Sequence, residues 1–191
     1  MLSNFKGVQF RLANNWFSAI NVNDYKDKPI NYLEIGTFHG ANIISVGKTY
    51  GLHKDSKLYC IDPWEDYDEY DEYKNEQPRN YETFIENVKN SGFEDKIITN
   101  RGFSNKEINK FDDNFFDIIY IDGNHEADYA LEDAVLSFRK LKVNGILIFD
   151  DYGWYTYHEV EKAVDAFVSA YCKRIEYLKL VDKQVFIKKI N

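Results

Sequence analysis

Short apolar runs recur along the chain, and most are followed by a segment of helical period. The runs at 31–35, 57–61, 96–100, 116–121 and 146–149 are rich in β-branched and aromatic residues. That composition suits strands buried on both faces of a parallel sheet. Between and after them, four sets of residues repeat on one helical face. They are Ile43, Ile44, Val46, Gly47 and Tyr50; Tyr81, Phe84, Ile85 and Val88; Ala127, Ala130, Leu131, Ala134, Val135, Phe138 and Leu141; and Val160, Ala163, Val164, Phe167 and Tyr171. Pro78 opens the second helix, and Gly51 and Gly92 mark stops. Ser104 with Glu107, and Thr156 with Glu159, have the spacing of capping boxes. Asn144-Gly145 turns the chain into the fifth strand. The tail changes character: 174–180 and 184–190 are strand-like and meet at a tight turn near Asp182-Lys183, which predicts an antiparallel hairpin.

Two stretches are less regular. Before residue 30, Phe10, Ala13, Phe17 and Ile20 have helical spacing and Trp16 adds to that face. This predicts a helical cap segment over 1–29, laid across a site or a sheet edge, ahead of one domain over 30–191. Residues 65–73 have no apolar period and carry six carboxylates. They read as a solvated loop; the alternative is a lid that carries tyrosines over a substrate.

Composition narrows the picture. With 191 residues, 44% of them apolar and 29% charged, the chain has the make-up of one soluble globular domain. A net charge of -8 argues against non-specific binding to nucleic acid, which depends on cationic side chains displacing counterions. No apolar run reaches about eighteen residues, so no membrane partner is expected. The first six residues lack the layout of a secretory signal. Cys60 sits in an apolar strand and reads as core; Cys172 is far away with no metal-like spacing. Both fit a reducing, cytoplasmic compartment.

The chemistry gathers where strands end. In open α/β sheets, ligands sit beyond the carboxyl ends of the strands. Glu34, Asp62, Asp122 and the pair Asp150-Asp151 all fall there, and His125 follows Asp122 by three residues. The first strand leads through Gly36 and Gly40 into a helix, a turn that brings backbone N–H groups close to a ligand. Asp62, at the end of the second strand, suits bonding to a ribose diol. Five carboxylates on one rim need a cation or hydrogen bonds to be tolerable. Asp122, Asp150 and Asp151, on adjacent strands, would reach one hard cation, and oxygen ligation favours Mg²⁺ or Ca²⁺.

Four stretches carry a resemblance: Tyr32-Leu33-Glu34-Ile35-Gly36-Thr37-Phe38-His39-Gly40, Tyr59-Cys60-Ile61-Asp62-Pro63-Trp64, Ile121-Asp122-Gly123-Asn124-His125 and Ile148-Phe149-Asp150-Asp151-Tyr152. Over about residues 30–190 the chain resembles class I S-adenosylmethionine-dependent methyltransferases, in particular small O-methyltransferases with a D-G-x-H fourth strand and a D-D-Y fifth strand. The resemblance implies a three-layer, Rossmann-like fold with a mostly parallel seven-stranded sheet and an antiparallel C-terminal hairpin. It implies S-adenosyl-L-methionine as cofactor, with Mg²⁺ in metal-dependent members. Glu34, Gly36, Thr37 and Gly40 would then shape the methionine pocket. Asp62 would hold the ribose and Trp64 would flank the cofactor, while Gly102, Phe103 and Ser104 would lie near the adenine. Asp122 would border both cofactor and metal, with Asp150 and Asp151 completing the metal set. His125 would be the general base beside Asp122. Many metal-dependent relatives have Asn where this chain has Asp151.

The function so implied is O-methylation of a hydroxyl on a small molecule or carbohydrate. Two other classes compete. A nicotinamide-dependent oxidoreductase would share the first turn and Asp62, but residues 36–40 lack the G-x-G-x-x-G spacing that lets a pyrophosphate approach. A non-catalytic binding protein of the same fold would have no need of the full carboxylate set.

Overall fold

The computed structural model describes residues 2–10, 12–67, 69, 73–154 and 158–191. Its seven strands are β1 (Asn31–Ile35), β2 (Lys57–Asp62), β3 (Ile97–Arg101), β4 (Phe116–Ile121), β5 (Leu141–Phe149), β6 (Ile175–Val181) and β7 (Gln184–Lys189). They form one sheet in the order β3-β2-β1-β4-β5-β7-β6. The first five are parallel, and β7 runs antiparallel to both β5 and β6. Asp182 and Lys183 both have positive φ, the geometry of a two-residue hairpin turn. The α/β class, the mostly parallel sheet and the closing hairpin agree with the sequence expectation.

Alternation along the strands builds two cores, one on each face of the sheet. Tyr32, Ile118, Tyr120, Ile146 and Ile148 join one core with Ile43 and Ile44 of α1 (Ala41–Gly47) and Phe84 of α2 (Gln77–Ser91). Leu33, Ile35, Ile119, Ile121 and Leu147 join the other with Phe138 of α4 (Ala127–Lys140) and Phe167 of α5 (His158–Tyr171). A short helix, α3 (Ser104–Glu107), follows β3. The chain leaves β1 toward β2 on one side and returns to β4 on the other. The crevice between β1 and β4 is therefore the switch point of the sheet.

Three local expectations change. The N-terminal helix is a 3-10 helix over Ala13–Ser18, whose threefold period buries Ala13 and Trp16 together. Phe10 and Phe17, which an α-period would bury, are 77% and 51% exposed. The fifth strand starts at Leu141, because that buried residue pairs with Phe116 and a register shift absorbs Asn144-Gly145. At α3 the N-cap is Phe103, with no side-chain cap, so Ser104 and Glu107 do not form a capping box. The Thr156 pattern begins outside the described residues. Among the described residues, no helix is long and apolar enough to cross a membrane.

The N-terminal segment is tied to the sheet by buried polar groups. Trp16 donates through Nε1 to Gln184 Oε1 at 3.0 Å, Gln184 donates through Nε2 to the Tyr120 hydroxyl at 3.2 Å, and Tyr120 donates to Asp150. All four residues are buried. Gln184→Leu strands the indole N–H in the core, so urea unfolding should show a loss of about 1–3 kcal/mol. Trp16→Phe with Gln184→Leu together should lose less than the sum of the two single changes.

Candidate active site

The site begins with a backbone collision avoided. Gly36, just after β1, has φ +79°, and a Cβ there would lie 1.8 Å from the carbonyl oxygen of Asp122. Only glycine lets the β1 turn pass so close to the β4 turn. Asp122 N–H donates to the Ile35 carbonyl at 2.9 Å and locks the two turns together. Asp62 fixes the next residues: its Oδ2 accepts from the N–H groups of Thr37 and Phe38, both at 2.9 Å, and its Oδ1 accepts from Trp64 N–H at 2.8 Å. A carboxylate offers about four acceptor positions, so little of this one remains free. Burial raises the Asp62 carboxyl above its ordinary range, against the pull of those amides.

Glu34 is buried beneath the turn. Its Oε2 accepts from the Tyr32 hydroxyl at 2.7 Å and from Asn42 Nδ2 at 3.0 Å. Burial pushes its carboxyl up to about 8, with the nearby Asp122 charge adding to the rise. Asp122 is pushed up to about 7 by burial and by the like charge of Asp150. Asp150 accepts from Tyr120, and its Oδ1 accepts from Asp151 N–H at 2.8 Å. Asp151 has φ +57°, a left-handed backbone that Asp and Asn tolerate best among residues with a side chain. An aspartate is therefore tolerated at this position.

His125 stands among these acids. Nε2 lies 2.9 Å from Asp151 Oδ2 and 3.7 Å from Asp122 Oδ1. Nδ1 lies 2.7 Å from Glu69 Oε1, which also accepts the His125 backbone N–H at 2.9 Å. Burial alone would lower the imidazole, but the nearby Asp122 carboxyl and the hydrogen-bonded Asp151 and Glu69 outweigh it and push the ring up to about 12. The ring is thus an imidazolium between carboxylates.

These residues line a cavity of about 950 Å³, at the upper end of the range for small-molecule sites, roughly 300–1,000 Å³. Glu34, Gly36, Thr37, Asp62, Phe103, Ser104, Asp122, His125, Asp150 and Asp151 all reach it. Gly40, Trp64 and Gly102 are not on its wall. Gly40 caps α1 with φ +84° and faces Phe84. Trp64 is buried against Phe84 and Tyr81, with its Nε1 on the Phe38 carbonyl. Gly102 packs on Glu107. Ser104 bonds to the buried Asp133, whose carboxyl burial pushes up to about 7. His39 lines the wall: Nδ1 accepts from Val8 N–H, so Nε2 donates to Asn80.

The ligand geometry differs from the predicted all-oxygen set. The donor atoms that come within 4.8 Å of one another belong to Asp122, His125 and Asp151, whereas Asp150 turns its Oδ2 to Tyr120. Within 65–73, three of the described residues depart from the solvated-loop reading. Tyr67, Glu69 and Tyr73 line the cavity, and the Glu69 side chain is only 4% exposed. Their lack of an apolar period hid this, because they face a polar cavity rather than the core. Val8 and Phe10 reach the same cavity from the N-terminal segment.

A model of the methyltransferase domain matches residues 33–152. The chain belongs to this methyltransferase family. The match runs from β1 to just past β5 and takes in every strand end described above, which displaces the nicotinamide reading. No curated protein matches the chain. Solved structures do. A Klebsiella pneumoniae protein assigned as an O-methyltransferase aligns with a TM-score of 0.70 at 15% identity, over 98% of this chain and 84% of that one. The Bacillus cereus O-methyltransferase, in complex with S-adenosylhomocysteine, gives 0.69 at 12%, over 97% and 84%. The Podospora anserina methyltransferase, also bound to S-adenosylhomocysteine, gives 0.63 at 18%, over 98% and 91%. At these identities the likeness establishes the shared fold.

Two outcomes test the local account. Gly36→Ala should cost several kcal/mol, above the roughly 1–3 kcal/mol of ordinary backbone strain, measured by urea unfolding. Glu34 bears on pH. Its folded pKa exceeds the unfolded one, so between about pH 4.5 and 8 the folded chain keeps a proton that the unfolded chain releases. Stability from this group therefore falls as pH rises through that window. Glu34→Gln should flatten the decline in melting temperature across it.

Proposed function

We propose that the protein is an S-adenosylmethionine-dependent O-methyltransferase acting on a hydroxyl of a small molecule or carbohydrate, assisted by a divalent cation. The observation that carries this reading is the Asp122, His125 and Asp151 cluster in a cavity that also contains the Gly36 turn and Asp62. In this reading residues 30–191 form the methyltransferase domain, and residues 1–29 close one side of the cavity with Val8 and Phe10.

The residues fit the donor. The Gly36 turn and Glu34 offer a seat for its methionine part, the remaining lone pair of Asp62 one for its ribose, and Phe103 a flat face for its adenine. S-adenosylmethionine supplies a methyl on a sulfonium, so attack by an oxygen forms the C–O bond while the C–S electron pair returns to sulfur.

The residues also fit a cation. Two carboxylates and an imidazole suit a borderline divalent ion such as Mn²⁺ as well as Mg²⁺. Such an ion would offset the Asp122 and Asp151 charges and orient the acceptor oxygen. The chain's own groups then have distinct roles. Asp122, raised toward neutrality by burial, can hold the hydroxyl proton. His125 would turn Nε2 to the ion and keep Nδ1 on Glu69, so with the ion bound the ring acts as a ligand and leaves the proton to Asp122. Glu69 and Asp151 hold the ring in place.

Methyl transfer from labelled S-adenosylmethionine to a panel of catechols and monosaccharides tests this. His125→Ala and Asp151→Ala should each lower kcat by about 10²–10⁴ and leave S-adenosylhomocysteine affinity within about twofold. Full activity in both variants would remove the proposed roles.

A further inference from the structure

The cavity lining is rich in acids. Among the described residues ten carboxyl side chains line it, three of them (Glu34, Asp122 and Asp133) pushed toward the neutral form, against one lysine, Lys106, and the imidazoles of His39 and His125. An acceptor bearing phosphate or carboxylate would enter against that field, and a cationic one along it. Sign alone does not make a binding site. A second observation does, and it concerns one oxygen.

Glu69 is carried on the stretch between β2 and α2, and its side chain is 96% buried, from an exposure of 4%. Its Oε1 is committed to the His125 backbone and ring. Its Oε2 is buried and has no hydrogen-bond partner among the described residues. A buried carboxylate oxygen without a donor is costly, and a ligand that brings a donor removes the cost. Tyr67 lies close enough to feel the charges of Glu69 and Asp122. With Tyr129 it gives the cavity aromatic faces, which suit an alkylammonium. Glu69 is not one of the Asp122, His125 and Asp151 group.

We propose that the acceptor carries a protonated amine close to the hydroxyl that is methylated, and that Glu69 Oε2 receives it. This deepens the methyltransferase reading and rests on it. The ammonium N–H donates to Oε2, while Oε1 keeps His125 in place, so one carboxylate aligns the substrate with the cluster around His125. Glu69 is then a specificity residue supplied by a segment with no apolar pattern of its own.

The test is calorimetric titration of the full chain with two matched pairs, dopamine against 4-ethylcatechol and glucosamine against glucose. Each pair shares its hydroxyl scaffold and differs in the ammonium. Titrations run with and without S-adenosylhomocysteine, so a chain that fails to bind that ligand overturns the donor reading while the pairs still decide on Glu69. The amine of at least one pair should bind at least about tenfold more tightly than its neutral partner, as expected for a charge-assisted hydrogen bond. Glu69→Gln should reduce that preference to below about threefold, and Glu69→Asp should retain part of it. Affinity for S-adenosylhomocysteine should be unchanged in both variants, which also reports that they fold. The proposal is overturned if neither amine binds, if the neutral partners bind equally well, or if the preference survives in Glu69→Gln.

Discussion

Carboxylates repel one another, yet this sheet collects five of them along a single rim. The way each is made tolerable explains the rest of the site. Asp62 is held by three backbone amides of the turns it joins. Glu34 is held by a tyrosine and an asparagine, and burial favours its protonated form. Asp150 is held by Tyr120 and by the amide of Asp151. Asp122 and Asp151 instead meet a positive charge, the ring of His125, which Glu69 grips from the other side. Neutral donors settle Glu34, Asp62 and Asp150, and the ring of His125 settles Asp122 and Asp151.

The fold makes this crowding possible. A parallel sheet sends all its strand ends to one edge, and the switch between β1 and β4 opens a crevice there. Gly36 lets the two turns touch, so Glu34 and Asp122 act on one another across the crevice. The N-terminal segment belongs to the same system. Trp16 is linked through Gln184 and Tyr120 to Asp150, which connects the far face of the core to the rim.

Much of this was legible in the sequence, for identifiable reasons. Buried parallel strands leave continuous apolar runs, and α4 leaves an amphipathic repeat, so the sheet and its order of elements could be read directly. Strand-end acids could be read because an apolar run that stops at Asp122 or Asp150 has little other use for a carboxylate. Glu69 was not legible. Its neighbours are acidic, and nothing in one-dimensional spacing says that it folds back onto His125. Trp64 misled in the opposite sense: it follows Asp62 directly, but its positive φ swings the indole away from the cavity and into the core. That His125 rather than Asp150 stands with Asp122 and Asp151 depends on Tyr120, which takes Asp150 and which pattern reading cannot register.

If the rim around Gly36, Glu34 and Asp62 is the seat of an S-adenosyl group, calorimetric titration of the folded wild-type chain with S-adenosylhomocysteine should give saturable binding at one site per chain. A folded chain that gives no binding isotherm with this ligand would rule that seat out.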